Sequence, residues 1–201
     1  MKPNKPMTNK TIADIPRGIK RQKTLLKRGL HPQGISRLID KKLLVSVGRG
    51  VYMTPQTAIT ENHDLAIANA RIPHGTVCLL SALNFHGMTT QIPREVWIAI
   101  ENRAASPRFS TPPLRIIRLT DPSLNSGIEK HIIEGVDVRI YCPAKTVADC
   151  FKFRNKIGLD VAMEALKDYL RLKKGTVDEL WHFAKINRVA RVIQPYLEAS
   201  V

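Results

Sequence analysis

Acidic residues are almost missing from the first sixty positions of this chain. Asp14 and Asp40 stand there against 13 Lys and Arg, whereas residues 61–201 hold 19 Lys and Arg against 15 Asp and Glu. The formal charge of +15 is therefore concentrated at one end. A cationic module on a nearly balanced body calls for a polyanionic partner, because releasing condensed counterions drives such binding. A membrane surface would attract the same charge, but the segment lacks the broad aromatic and Leu face that an interfacial helix buries.

Other absences narrow the class further. There are only three cysteines, Cys78, Cys142 and Cys150. The odd number and wide spacing argue against a disulfide framework and a zinc site, and buried thiols in a reducing cytoplasm are expected. No apolar run approaches the roughly 18 residues of a membrane span, so no membrane partner is expected. The basic start MKPNKPMTNK has no apolar segment behind it and does not read as a secretory signal, which leaves a cytoplasmic location. Aromatics make up only 5% of the chain, but the apolar fraction of 43% is enough for a core.

Catalytic motifs are missing too. The phosphate loop G-x-x-x-x-G-K-[ST] does not occur. Neither does the Gly-Ser pair followed by Asp-x-Asp that a nucleotidyltransferase uses to hold metal. The only Asp/Glu-x-Lys of nuclease type is Asp40-Lys41-Lys42, within a helical pattern and not at the end of a core strand, so it cannot serve. The six histidines show no i, i+4 pair and no metal spacing. No enzyme activity, metal or other cofactor is expected.

What is present centres on residues 30–55, LHPQGISRLIDKKLLVSVGRGVYMTP. Pro32 suits the first turn of a helix, where its missing N–H would be unpaired in any case. Ile35, Leu38 and Ile39 recur at helical spacing and make one apolar stripe. Gln33, Ser36, Arg37, Asp40 and Lys41 fall on the other face, and Gln and Arg can read adenine and guanine edges bidentately. Val45-Ser46-Val47 and Val51-Tyr52-Met53 then read as a hairpin tipped by Gly48-Arg49-Gly50, with Arg49 held out between two glycines. An amphipathic helix followed by a basic-tipped hairpin is the pattern of a winged helix-turn-helix; a small helix–hairpin unit with merely solvated charges is the plainer alternative. On the first reading Gln33, Ser36 and Arg37 meet base edges of double-stranded DNA, and Lys23, Arg28, Lys41, Lys42 and Arg49 meet phosphates.

In chain order, a short helix is expected from Thr8 or Asn9 to about Ile15, ended by Pro16 and Gly18. Ile19-Lys20-Arg21 reads as a short extended piece, and Gln22 to Arg28 as a helix stopped by Gly29. The candidate recognition helix then runs to about Lys42. Residues 1–56 thus form the expected winged-helix domain, 55–60 a linker, and 60–201 a larger α+β domain with a small, mostly antiparallel sheet and C-terminal helices. In that second domain Glu61 to Arg71 and Thr76 to His86 read as helices, the latter capped by Gly87. Glu95 to Glu101 alternates with apolar residues on both sides, the mark of a central strand. Leu114 to Leu119 is a second strand, and Ile128 to Tyr141 a hairpin turning at Glu134-Gly135. Helices follow from Pro143, from Asp160, from the capping box Thr176–Glu179, and from Val189. Strands followed by helices without βαβ alternation mark an α+β fold.

Some residues carry two readings. His86 before Gly87 suits carbonyl capping. Lys145 and Asp149, four apart on a helix, suit an exposed ion pair better than a catalytic one. Lys152, Arg154 and Lys156, and likewise Arg188 and Arg191, suit a solvated face or a second nucleic-acid contact. Arg103 and Arg108 lie in a Pro/Ser-rich loop that could touch a partner. Two rivals to a DNA-binding regulator stay open: a nucleic-acid-processing enzyme with a basic targeting arm, and an interaction protein whose cationic end meets an acidic protein.

The stretch RLIDKKLLVSVGRGVYMTP (37–55) resembles the end of the winged helix in AbiEi-type antitoxins of type IV toxin–antitoxin systems. LLSALNFHGMTTQIPREVWIAI (79–100), YCPAKTVADCFKFRNKIGLDVAMEAL (141–166) and RVARVIQPYLEA (188–199) are similar to the body of that family. The resemblance covers nearly the whole chain from about Ile12. It departs at the first helix, which Pro16 cuts shorter than is common in the family. It implies a DNA-binding repressor of its own operon that counters a co-encoded nucleotidyltransferase-like toxin. It leaves open whether that toxin is touched directly and whether the chain is a homodimer.

Overall fold

The computed structural model describes residues 15–199, so all of the expected first helix except Ile15 lies outside it. The fold is α+β, with two sheets and nine helices among the described residues. The chain forms two compact units. One holds the described residues up to Arg71 together with Ile132–Asp137; the other holds Ile72–His131 and the chain from Val138 onward.

The first unit opens with strand β1 (Ile19–Arg21), then helices α1 (Gln22–Lys27) and α2 (Pro32–Asp40), then strands β2 (Val45–Gly48) and β3 (Val51–Met53). β3 lies between β1 and β2 and pairs antiparallel with both, so Ile19-Lys20-Arg21 does join the hairpin sheet. The register of β2 on β3 slips between Ser46 and Gly48, leaving Val47 as the extra residue of a bulge. Both helices end in the same way. Leu30 N–H reaches Leu25 C=O and Gly29 N–H reaches Leu26 C=O; Leu43 N–H reaches Leu38 C=O and Lys42 N–H reaches Ile39 C=O. These are Schellman ends, which place the residue after the cap in the left-handed region. Gly29 adopts it freely at φ +88°, but Lys42 must adopt it at φ +56°. The recognition-helix candidate therefore stops at Asp40, two residues short of the expected Lys42. Leu25, Leu30, Ile35, Leu38 and Leu44 form its buried core, with Ile15, Ile39 and Tyr52 packed on them.

Helix α3 (His63–Arg71) packs on β1, β2 and β3. The boundary expected at residues 57–59 thus falls inside this unit. A hairpin tip far along the chain explains why. Glu134 and Gly135 both have positive φ, +49° and +77°, the conformation of a tight two-residue hairpin turn. The Glu134 carbonyl accepts from Ile19 N at 2.7 Å. Its carboxylate accepts from Thr60 N at 2.8 Å, Thr60 Oγ1 at 2.9 Å and His63 Nδ1 at 2.6 Å. These bonds hold the carboxyl below its usual range against the opposing effect of burial. Gly18 has no room for a side chain here, since a Cβ would stand 2.2 Å from the Glu134 carbonyl oxygen.

The second sheet is built from strands β4 (Thr76–Val77), β5 (Val96–Glu101), β6 (Leu114–Leu119), β7 (Ile128–Ile133) and β8 (Val136–Tyr141) in the order β6-β5-β4-β8-β7, and all of it except the β7–β8 tip, Ile132–Asp137, belongs to the second unit. β5 is interior, as its two apolar faces imply. The sheet is mixed rather than mostly antiparallel: β4 pairs antiparallel with β5, but β5 with β6 and β4 with β8 are parallel. The Pro-rich stretch 102–113 is long enough to carry the chain back to a parallel start, which takes about a dozen residues. Thr76 and Val77 are strand, not helix, because their backbone pairs with Ala99 and Ile98. Helix α4 (Leu79–His86) follows, with Gly87 left-handed at its end. Then come α5 (Pro143–Lys152), the single turn α6 (Arg154–Ile157), α7 (Leu159–Arg171), α8 (Val177–Ile186) and α9 (Ala190–Glu198). The Thr176–Glu179 capping box is formed in full.

One side-chain expectation is overturned in this unit. Lys145 and Asp149 are not an exposed pair: their side chains are 0% and 1% exposed. Lys145 Nζ donates to Asp149 Oδ1, which also accepts from Asn187 Nδ2 at 2.7 Å. Asn187 Oδ1 accepts from Ser123 Oγ at 2.6 Å, and Ser123 Oγ accepts from Lys152 Nζ at 3.2 Å. The ammonium of Lys145 also stands 4.2 Å from the centre of the Tyr141 ring. α5 is buried because α4, α7, α8 and α9 all pack on it, leaving no free side for a solvated pair. His86 does bond a carbonyl, but not one of its own helix end: its Nε2 donates at 2.8 Å to the O of Tyr141, the last residue of β8.

Candidate nucleic-acid interface

The polar side of α2 is left exposed by the described residues. Ile35 and Leu38 are buried at 2% exposure each, and Gly34 beside them is buried. Gln33, Ser36, Arg37, Asp40, Lys41 and Lys42 are all exposed. Gln33, Arg37, Lys41 and Lys42 make no side-chain bond to the described residues, so their donors are available. Ser36 is partly committed, since its Oγ donates to Pro32 O one turn back at 3.3 Å, a common habit of helical Ser. The missing N–H of Pro32 and the extended backbone of His31 set the start of this helix.

Arg49 is exposed at the hairpin tip and forms no ion pair with the described residues. Gly50, at φ +70°, supplies the left-handed step, and its carbonyl accepts from Gln22 N at 2.7 Å, which ties the tip to the start of α1. The other expected phosphate contacts, Lys23 and Arg28, are exposed on and just after α1.

Not every cation of this unit is available. Lys20 is 8% exposed, its Nζ donates to Arg17 O at 3.2 Å, and burial pushes its ammonium down. Arg21 donates to Asn69 O at 3.0 Å and holds α3 to β1. These two serve the fold.

Two cations were missed by the sequence reading. Lys27 is exposed one turn after Lys23 on the same face of α1; the i, i+4 spacing was a usable signal. Arg71, at the end of α3, stands beside the hairpin, where a Cβ on Gly48 would lie 3.1 Å from its Nη1. Nothing in the sequence marks that pairing of positions 48 and 71. Among the described residues no group of three His, Cys, Asp or Glu is placed to hold a metal ion, and no helix is long and apolar enough to cross a membrane.

No family model matches this chain, and no curated protein matches it. A solved structure does. The RV2827C protein from Mycobacterium tuberculosis is similar over 94% of this chain and 78% of its own, with a TM-score of 0.52 and 14% identity. At that identity the likeness is one of fold. It spans both units, so their joint presence in one chain is an arrangement that recurs.

Proposed function

We propose that the N-terminal unit is a winged helix that binds duplex DNA, and that the chain is an antitoxin repressing its own operon and countering a co-encoded nucleotidyltransferase-like toxin. The observation that carries the DNA-binding part is the split of α2: its apolar side closes the core while Gln33, Arg37 and Lys41 stand exposed with donors that no described residue uses. A helix with that face enters a major groove and reads base edges. Arg49, on a hairpin stiffened by Gln22 and a bulge, reaches the flanking phosphates or minor groove. Exposed Lys23 and Lys27 extend the cationic surface along α1. The repressor and antitoxin roles are supported by the sequence resemblance alone.

Two experiments test this reading. Fluorescence anisotropy of the full chain on DNA from just upstream of its own reading frame, against scrambled duplex, measures specific binding. The expected result is a preference of at least tenfold that falls with salt, and equal affinity for both duplexes overturns it. Co-expression with the product of the adjacent reading frame reads out rescue of growth. Toxicity left untouched by this chain removes the antitoxin role and leaves DNA binding standing.

A further inference from the structure

The second sheet ends on an open strand. β6 is last in its order and pairs with β5 alone. The parallel register is unbroken, from Val96 beside Leu114 to Glu101 beside Leu119. Val96 N–H donates to Pro113 C=O, and Asn102 N–H donates to Leu119 C=O. The odd-numbered residues of β6 therefore turn their backbone groups toward β5. Leu114, Ile116 and Arg118 turn theirs outward, since successive residues of a strand bond to opposite sides. Among the described residues nothing bonds to those outward groups, so they form a ready template for one more strand.

The side chains give this edge one sign. Its centre reads Arg115-Ile116-Ile117-Arg118, and the loop leading into it carries Arg103 and Arg108; all four arginines are exposed. Arg118 is held in place, donating to Asn102 O at 2.7 Å, Ala104 O at 2.8 Å and Ser106 Oγ at 2.9 Å. These acceptors are neutral, and Arg118 forms no ion pair with the described residues, so its charge is unmatched. Arg115 lies 5.5 Å from the centre of the Trp97 ring and meets Glu95 only at 3.8 Å, with its side chain 59% exposed. At the other end of the sheet, β7 mixes Glu129 with Lys130. A second copy of β6 is a poor occupant, because it would bring more arginines and no strand acid into one seam, and like charges across strands repel. The same charges admit a strand of the opposite sign, for which main-chain pairing supplies affinity and side chains supply choice. Arg115 and Arg118 are three apart and so lie on opposite faces of the sheet. Their complement is acid–apolar–apolar–acid, with the apolar pair opposite Ile116 and Ile117. That order reads the same in both directions, so it fits a parallel or an antiparallel arrival.

We propose that β6 is a docking edge for an extended protein segment of the pattern acid–apolar–apolar–acid, which adds as a further strand beside Arg115–Arg118. The surface lies wholly in the second unit and does not depend on the DNA reading of the first.

The test is amide NMR of the full chain titrated with the end-blocked peptide Thr-Thr-Glu-Val-Val-Glu-Thr-Thr. The expected result is a saturable shift at Leu114, Ile116 and Arg118, with hydrogen exchange slowed at Ile116 and Arg118 but not at Ile117, whose N–H already faces β5. Two further peptides carry N-methyl groups on one or the other alternate set of residues. One of them is expected to bind at least about tenfold more weakly and the other to bind unchanged, because only one set faces β6. Lysine in place of both glutamates is expected to weaken binding by at least about tenfold, and Arg115→Gln, whose side chain is exposed, by about fivefold with a flatter salt dependence. Equal binding of the two methylated peptides overturns the proposal, since it leaves charge attraction without strand pairing. Amides of β6 unmoved by the peptide overturn it as well. A single-stranded oligonucleotide that moves the same amides at lower concentration than the peptide overturns the assignment to a protein segment.

Discussion

Helices α2 and α5 both start with proline at the first helical position, run nine and ten residues, and carry cationic and acidic side chains on the side away from their apolar stripe. In α2 that side is exposed: Arg37 and Asp40 are exposed, and Arg37 makes no side-chain bond to the described residues. In α5 the corresponding Lys145, Thr146 and Asp149 are enclosed and bonded to one another, to Tyr141 O and to Asn187. The difference lies in the neighbours. α2 closes a core on one side only, whereas α5 is surrounded by four helices. A polar face on a surface helix is available for recognition; a polar face inside a bundle must be satisfied internally or it costs free energy.

The largest test of this contrast removes an acid from each helix. Asp149→Ala strands the Lys145 ammonium in the core and is expected to destabilise the chain by about 3–5 kcal/mol. Asp40→Ala, on the exposed face, is expected to change stability by less than about 0.5 kcal/mol. Urea unfolding of the two variants measures both. Equal losses would mean that α5 opens to solvent far more than its burial implies. Replacing both members, Lys145→Met with Asp149→Leu, restores much of the loss, because apolar groups of similar volume need no partner.

That contrast was invisible in the sequence, and the reason is physical. The apolar stripes of both helices were legible from spacing, as were Gly29 and Gly87 at helix ends, the Thr176–Glu179 box and the Glu134-Gly135 turn. Each of these is set by residues within about one helical turn of one another. What packs on the other side of a helix is set by segments far away: Asn187 reaches Asp149 from 38 positions along, and Ser123 reaches Asn187 from 64. The same limit hid the bond of Thr60 and His63 to Glu134, and with it the true extent of the first unit. The parallel pairings escaped because a crossover leaves no local mark. The helix α2 and the hairpin after it were legible because each is built from one short stretch of chain.

Next in size is Arg37→Ala. Loss of a bidentate base contact is expected to cost roughly 1–3 kcal/mol on specific DNA and little on scrambled duplex. Stability should not change, since the side chain is exposed and makes no bond to the described residues. Anisotropy on both duplexes reads the result, and a loss of equal size on both would place Arg37 on the backbone instead of a base. Arg49→Ala is expected to behave in that second way: all duplexes weaken alike and the salt slope flattens by about one unit. An unchanged slope removes Arg49 from the phosphate contacts.

The smallest expected effect separates folding from function at a single residue. Lys42 sits in the left-handed position that ends α2, at φ +56°, where Gly29 serves the equivalent end of α1. A side chain there costs about 1 kcal/mol relative to glycine, partly offset because a cation suits the negative end of the helix. Glycine also loosens the unfolded chain, so the net gain from Lys42→Gly is expected at a few tenths of a kcal/mol up to about 1 kcal/mol. If Lys42 meets a phosphate, the same variant binds every duplex more weakly while unfolding at higher urea. A variant that gains stability and keeps full affinity identifies Lys42 as a helix end and nothing more, and leaves the phosphate contacts of α2 to Lys41.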